Sequence, residues 1–232
     1  MVREDVRQPG NPKNQFDYVG EIHIEIEAVY MSKYGRESRP TKEICDIVGK
    51  LSLENKDFQK LIENVDYPGI DCEILDKGKE DFSNQYENFI NSLNLTQKVK
   101  IKIQELVDFM FELGLKTEEP SYDELYNYVV SFEDEVMNDG GYSEKDLLDL
   151  LCSTSTARFS CFFWKNELNG SAIKTSKAQK RKWWQWLIIG VSDVVGGIAG
   201  ASVGGPAAPA TAVSTGVAAS SLATTLTNPK NK

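Results

Sequence analysis

A chain of 232 residues with 41% apolar and 10% aromatic residues can bury a real core, which excludes global disorder. Its net charge of −9 is unevenly divided: residues 1–170 carry 19 Lys/Arg against 34 Asp/Glu (−15), and residues 171–232 carry 7 against the single acid Asp193 (+6). The acidic part is repelled by phosphate backbones, so nucleic acid is excluded as a partner.

The opening fifteen residues, charged and broken by Pro9, Gly10 and Pro12, are expected to be a flexible arm with no apolar signal segment. From Phe16 to Tyr34, Val19, Ile22, Ile26 and Val29 recur at helical spacing, and Gly35 supplies a stop. Thr41 after Pro40 opens a second helix that breaks near residues 49–55, and Tyr67-Pro68-Gly69 begins a loop to about Lys79. A short amphipathic helix follows through Phe82, Tyr86, Phe89 and Leu93. Thr96 caps the next, with Val99, Ile103, Leu106 and Met110 on one stripe down to Gly114. Two capping boxes, Ser121 with Glu124 and Ser143 with Asp146, start the last two helices of the acidic part. Short polar connections between such helices predict an all-α fold, a compact bundle over residues 16–168. Cys45, Cys72, Cys152 and Cys161 form no C-x-x-C pair and read as buried thiols in a reducing compartment.

Residues 169–182 form a basic linker, 183–227 an apolar Gly/Ala-rich tail, and 228–232 a polar end. Lys180, Arg181 and Lys182 stand before Trp183, Trp184 and Trp186, the combination that a membrane interface selects. As a helix, residues 183–203 measure roughly 31 Å, about one hydrocarbon thickness. Ser192, Gly196, Gly200 and Gly204 fall at steps of four, and Gly197, Ala201 and Gly205 repeat the step one position on. After Pro206 and Pro209, Ala212, Gly216 and Ser220 resume it, which predicts a helical hairpin closed by two small-residue faces. Basic flanks place both ends on the cytoplasmic side of a bilayer. Against insertion stand modest hydrophobicity, the weakness of 207–226 as a span, and Asp193, which at bilayer depth costs roughly 2–3 kcal/mol. A tail packed on its own domain and a flexible low-complexity tail are the alternatives.

Catalytic signals are sparse. His23 lies among Glu21, Glu25 and Glu27, but Gly20 stands where a di-iron Glu-x-x-His motif needs Glu, and no thiolate pair offers a zinc site. A structural histidine beside solvated acids is the better reading. A Cys–His nucleophile has no local support, and a calcium loop around Gly140 would place Met137 at a ligand position. The chain carries no phosphate loop and no dinucleotide fingerprint, so neither cofactor nor enzymatic activity is expected.

Phe16-Asp17-Tyr18-Val19-Gly20-Glu21-Ile22-His23 resembles the G-x-x-H-N opening of a family of uncharacterised small helical proteins from Bacteroidetes-type bacteria. Ser153-Thr154-Ser155-Thr156-Ala157-Arg158-Phe159-Ser160, leading to Phe163-Trp164, is similar to that family's S-x-A-R-Y-S…Y-W segment, and its closing tail is similar too. Ile24 departs from the pattern where Asn is expected. The resemblance implies no activity. It does imply that Gly20, His23, Arg158 and Ser160 form one structural junction between the first and last helices of the bundle.

The sequence thus predicts a non-enzymatic protein whose acidic bundle stays in water while the tail meets a lipid bilayer and self-associates, in a bacteriocin-like or effector-like way. The alternative is a soluble bundle that binds a protein partner, its tail held by a chaperone, secretion machine or particle lumen.

Overall fold

The computed structural model describes residues 8–169 and 176–228, with side chains outside 169–182 and Ser83. It is all-α; no strand occurs among the described residues. Among the described residues ten α-helices follow in order: α1 Asp17–Tyr34, α2 Thr41–Glu54, α3 Lys56–Ile62, α4 Cys72–Glu80, α5 Glu87–Ser92, α6 Gln97–Leu115, α7 Tyr122–Asn138, α8 Glu144–Asn169, α9 Ser176–Gly204 and α10 Ala208–Thr227.

Side-chain caps start five of the described helices. Thr96 Oγ1 accepts from Val99 N at 3.4 Å, and Ser121 Oγ accepts from Glu124 N at 3.1 Å. Ser143 and Asp146 close a reciprocal box, Asp146 N donating to Ser143 Oγ at 3.1 Å and Ser143 N to Asp146 Oδ2 at 3.1 Å. The expected break after α2 falls at Asn55, whose side chain caps α3 through Asp57 N and Phe58 N. The expected loop through residue 79 is corrected: Asp71 accepts from Glu73 N and Ile74 N and starts α4, which seats Leu75 and Gly78 in the core.

The C-terminal hairpin is not appended to the bundle; it is the bundle's centre. Residues Trp183–Thr227 are the one described stretch long and apolar enough to cross a membrane, and 94% of its most apolar window is buried in protein. Each arm serves one half of the core. The α9 side chains Ile188, Ile189, Val194 and Ile198 pack with Ile103, Leu106, Met110 and Trp164 from α6 and α8. The α10 residues Val213, Val217 and Leu222 pack with Ile22, Ile26, Ile44, Val48 and Phe58 from α1, α2 and α3. A helix with nearly every residue buried has no wet face, so its all-round apolar composition follows from its position.

The hairpin closes through glycines, as the four-residue step requires. A Cβ on Gly196 would stand 2.5 Å from Ala219 Cβ, one on Gly200 2.3 Å from Thr211 O, and one on Gly204 2.0 Å from Thr211 Oγ1. The α10 face in this contact centres on Thr211, Thr215 and Ala219; of the expected Ala212, Gly216 and Ser220, Gly216 joins it, its Cα 3.2 Å from a Cβ on Gly196. Gly216 lies against His23 of α1, and Ser220 accepts from Trp164 Nε1 at 3.1 Å. Ser192 meets Tyr86 at 3.0 Å, and Gly197 faces Ser153 and Thr156 of α8, each at 3.6–3.7 Å. At the tip Gly205 takes φ +52, left-handed backbone that a β-carbon opposes.

The expected flexible arm is corrected from residue 8 onward; residues 1–7 lie outside the described residues. Asn11 and Asn14, each 3% exposed, insert side chains between α7 and α8. Tyr126 OH donates to Gly10 O at 2.8 Å. Asparagine amides offer several hydrogen bonds each, and these long-range bonds order a segment with no helical pattern of its own.

Two buried polar junctions

Two clusters of ionisable side chains sit in the interior, and they differ in how well they are satisfied. The first joins the N-terminal strap to α1, α7 and α8. Glu133 is fully buried and accepts from Asn11 Nδ2 (2.6 Å), Asn14 Nδ2 (2.7 Å), Thr154 Oγ1 (2.7 Å) and Arg158 Nη2 (3.1 Å). Arg158, equally buried, also pairs with Asp17 and donates to Pro9 O. Charge neutralisation and a filled hydrogen-bond set make this junction a clamp.

The second joins α1 and α8 to the hairpin. Here His23, Glu27, Ser160 and Asp193 are all 0% exposed. Ser160 Oγ donates to Asp193 Oδ2, and Ser221 Oγ donates to Glu27 Oε2 at 3.4 Å. His23 Nε2 stands 3.7 Å from Asp193 Oδ2, beyond hydrogen-bond reach. Among the described protein atoms neither His23 nitrogen, nor Glu27 Oε1, Tyr30 OH or Asp193 Oδ1, has a partner at ordinary hydrogen-bond geometry, although His23 lies within ion-pair range of Asp193. This junction is less fully satisfied than the clamp.

The expected junction is thus two. Gly20 N donates to Ser155 Oγ at 3.1 Å, and a Cβ there would meet Phe159 at 2.5 Å, so glycine lets α1 and α8 touch. Arg158 belongs to the clamp, whereas His23 and Ser160 belong to the hairpin junction. The expected solvation of the acids around His23 holds for Glu21 and Glu25, which are exposed, and fails for Glu27, which the helical period turns inward with His23. Asp193 and Glu133 had no sequence signal as partners, because each lies on a distant helix.

This geometry does not suit nucleophilic catalysis. In a working triad the histidine touches the hydroxyl, whereas here the acid stands between Ser160 and His23, all sealed from solvent. Burial raises the Cys152 and Cys161 thiols, with Asp149 and Asp193 adding to the shifts, so neither is a ready thiolate. Among the described residues no three His, Cys, Asp or Glu side chains are arranged to hold a metal ion.

Burial, and then the charge of Asp193, push the Glu27 carboxyl well above its ordinary 4.5, while Ser221 and Ser220 pull it back in part. A folded-state value above the unfolded one means the protonated acid favours the fold. That stability is present below about pH 4.5 and is lost as pH rises through the folded value. Glu27→Gln, which fixes the neutral form, is therefore expected to melt above the native chain at pH 8 and with a flatter pH profile from pH 5 upward. Thermal melts across that range check it; a native chain that gains stability toward pH 8 relative to the variant refutes the assignment.

The tryptophans at the hairpin's start lie in protein. Trp183 and Trp186 are 5% and 1% exposed, their indole N–H groups unbonded, and Trp184 covers Gly114 of α6. The side chains of Lys180, Arg181 and Lys182, like all those of residues 169–182, and the whole of residues 170–175 lie outside the described residues, while the second half of the expected linker is helical, α9 starting at Ser176. No protein-family model matches the chain, and no curated protein or solved structure matches it.

Proposed function

We propose that the chain is a non-enzymatic membrane-associating protein that carries a bilayer-compatible helical hairpin inside an acidic, water-soluble sheath and hands it to a lipid bilayer, where hairpins self-associate. The observation that carries this reading is that many of the hairpin's hydroxyls bond to their own helix. Ser202 donates to Ala199 O, Thr211 to Ala207 O, Ser214 to Ala210 O, Thr224 to Ser221 O and Thr225 to Leu222 O, at 2.7–3.2 Å. Hydroxyls bonded to their own helix need no water and no sheath, which is the condition hydrocarbon imposes.

Release gives up the Ser160–Asp193, Trp164–Ser220 and Tyr86–Ser192 hydrogen bonds together with less well satisfied contacts: His23 and Glu27 hold atoms without ordinary hydrogen bonds against the hairpin, and among the described residues the Trp183 and Trp186 N–H groups find no acceptor. Headgroups supply acceptors to such indoles. Departure of α8 and α1 also uncovers Gly197 and Gly216, small positions that let a second hairpin approach closely. Asp193 opposes insertion by the roughly 2–3 kcal/mol given above, a cost that pairing between hairpins inside the bilayer offsets.

The test uses the full chain with mixed phosphatidylcholine/phosphatidylglycerol vesicles. Flotation with the lipid, quenching of tryptophan by brominated acyl chains and leakage of a trapped dye are expected together. A chain that stays at the bottom of the gradient with unquenched tryptophans would leave only a soluble bundle with an apolar centre.

A further inference from the structure

Two cysteines on neighbouring helices face each other, and nothing in the hairpin reading uses them. Thr41 and Cys45 stand one turn apart on α2, and Cys72 and Asp76 stand one turn apart on α4. Thr41 Oγ1 donates to Asp76 Oδ1 at 2.5 Å, which pins the first turn of α2 to α4. Cys45, one turn on from Thr41, and Cys72, one turn back from Asp76, pack into the same apolar cluster, as an antiparallel pairing of the two helices requires. The side chains agree: burial raises the Cys45 thiol, and the adjoining Cys72 thiol adds to the shift. Cys45 is buried and Cys72 half-buried, so only the latter is open to a reagent.

What α4 covers gives the pair its consequence. Ile74, Leu75 and Gly78 of α4 lie over Val195, Ala219 and Leu222 of the hairpin, across an apolar groove of about 390 Å³ counting its open side. This cover is short, 9 residues. After it the chain turns through left-handed Gln85 and Tyr86, at φ 51 and 60.

We propose that Cys45 and Cys72 are a redox staple, whose oxidation by a low-molecular-weight disulfide fixes α4 to α2 as a closed cover on the hairpin. With glutathione disulfide, the Cys72 thiolate attacks one sulfur and expels glutathione thiolate, leaving a mixed disulfide. The Cys45 thiol then attacks the Cys72 sulfur as its proton passes to the departing sulfur, and the second glutathione leaves as the thiol. Two protein thiols are oxidised and one disulfide is reduced to two thiols, so the electrons balance. The covering role rests on the release reading above; the bond itself does not.

The full chain is treated with glutathione disulfide or with dithiothreitol. Oxidation is expected to remove about 2 Da, to give one linked peptide pair containing Cys45 and Cys72, and to leave Cys152 and Cys161 as thiols. Tm is expected to rise by roughly 5–10 °C, since a closed ring restricts the unfolded chain. Vesicle flotation should fall several-fold on oxidation and return with dithiothreitol, and Cys72→Ser should abolish both responses. A glutathione adduct that persists on Cys72, or a link to another cysteine, overturns the staple by direct mapping of the native chain. A staple that forms while flotation stays unchanged overturns the covering role. Absence of flotation in the reduced chain sinks the release reading and the covering role with it, and is read separately from the mass.

Discussion

Glu133→Ala is expected to lower the stability of the fold by roughly 3–5 kcal/mol, because it leaves the fully buried guanidinium of Arg158 short of its central counter-charge. A domain of this size has only about 5–15 kcal/mol in all, so the loss takes a large share of it. The same truncation strips acceptors from Asn11, Asn14 and Thr154, which are held to Glu133 at 2.6–2.7 Å. The N-terminal strap should therefore loosen along with the α7–α8 contact. Thermal denaturation should show a fall in Tm of roughly 6–20 °C. Limited proteolysis should cut first near residues 8–16. The double variant Glu133→Ala with Arg158→Met separates the causes. If the unpaired charge is the main penalty, removing it restores part of the loss, because a buried ion pair broken on one side is worse than none. A single variant that melts within a degree of the native chain would mean that Asp17 alone neutralises Arg158, and the clamp would then not centre on Glu133.

Most helices of the acidic half were legible because their signals are local, but the expected helix through Phe82, Tyr86, Phe89 and Leu93 is cut by left-handed Gln85 and Tyr86 and only Glu87–Ser92 is α-helical. Thr96, Ser121 and Ser143 announce helix starts by side chains that reach only three residues onward, and the structure uses all of them. α4 was hidden because Tyr67-Pro68-Gly69 punctuates the chain just before it, while the Asp71 cap is a single residue without a box partner. The strap was illegible for a different reason. Asn11 and Asn14 act through partners 119–137 residues away, and no periodicity carries such information.

Hydropathy found the hairpin and could not place it. An apolar helix pair satisfies a protein core and a bilayer by the same composition, since in both its neighbours are hydrocarbon. The glycine step predicted close approach of the two arms, and Gly196, Gly200 and Gly204 do seat α10. Which face of α10 answers them depends on rotation about the helix axis, set by the tip at Gly205 and by Trp164, Tyr67 and His23 around α10. The sequence contains those residues but not their convergence. His23 and Glu27 stood out as neighbours on one helical face, yet Asp193 and Ser160 join them only after three helices have packed.

Tying α9 to α8 is expected to abolish delivery of the hairpin to lipid. A Cβ at Gly190 would lie 3.8 Å from Cys161 Cβ, within the 3.5–4.5 Å that disulfide-bonded pairs span, and the Cys161 sulfur already points at it. Gly190→Cys in a Cys45→Ala, Cys72→Ser background therefore places one cross-link at the centre of the α8–α9 contact, free of competition from the other pair. The closed ring is 30 residues (161–190), and α8 is itself held to the sheath by the Glu133–Arg158 clamp, so the cross-link joins the hairpin to the best-anchored part of the protein. Oxidised, the variant should retain its helical circular dichroism and lose flotation, tryptophan quenching by brominated lipid and dye release together. Reduced with dithiothreitol in the same tube, it should regain all three, which removes the overpacking at Gly190 and Met110 as an explanation, since both states carry it. Release requires α9 to part from Ser160 and Cys161, because Asp193 and Gly190 lie against them in the sheathed state. Oxidised protein that enters vesicles as fully as reduced protein would show that α8 travels with the hairpin, and the proposed partition between sheath and cargo would be wrong at its central contact.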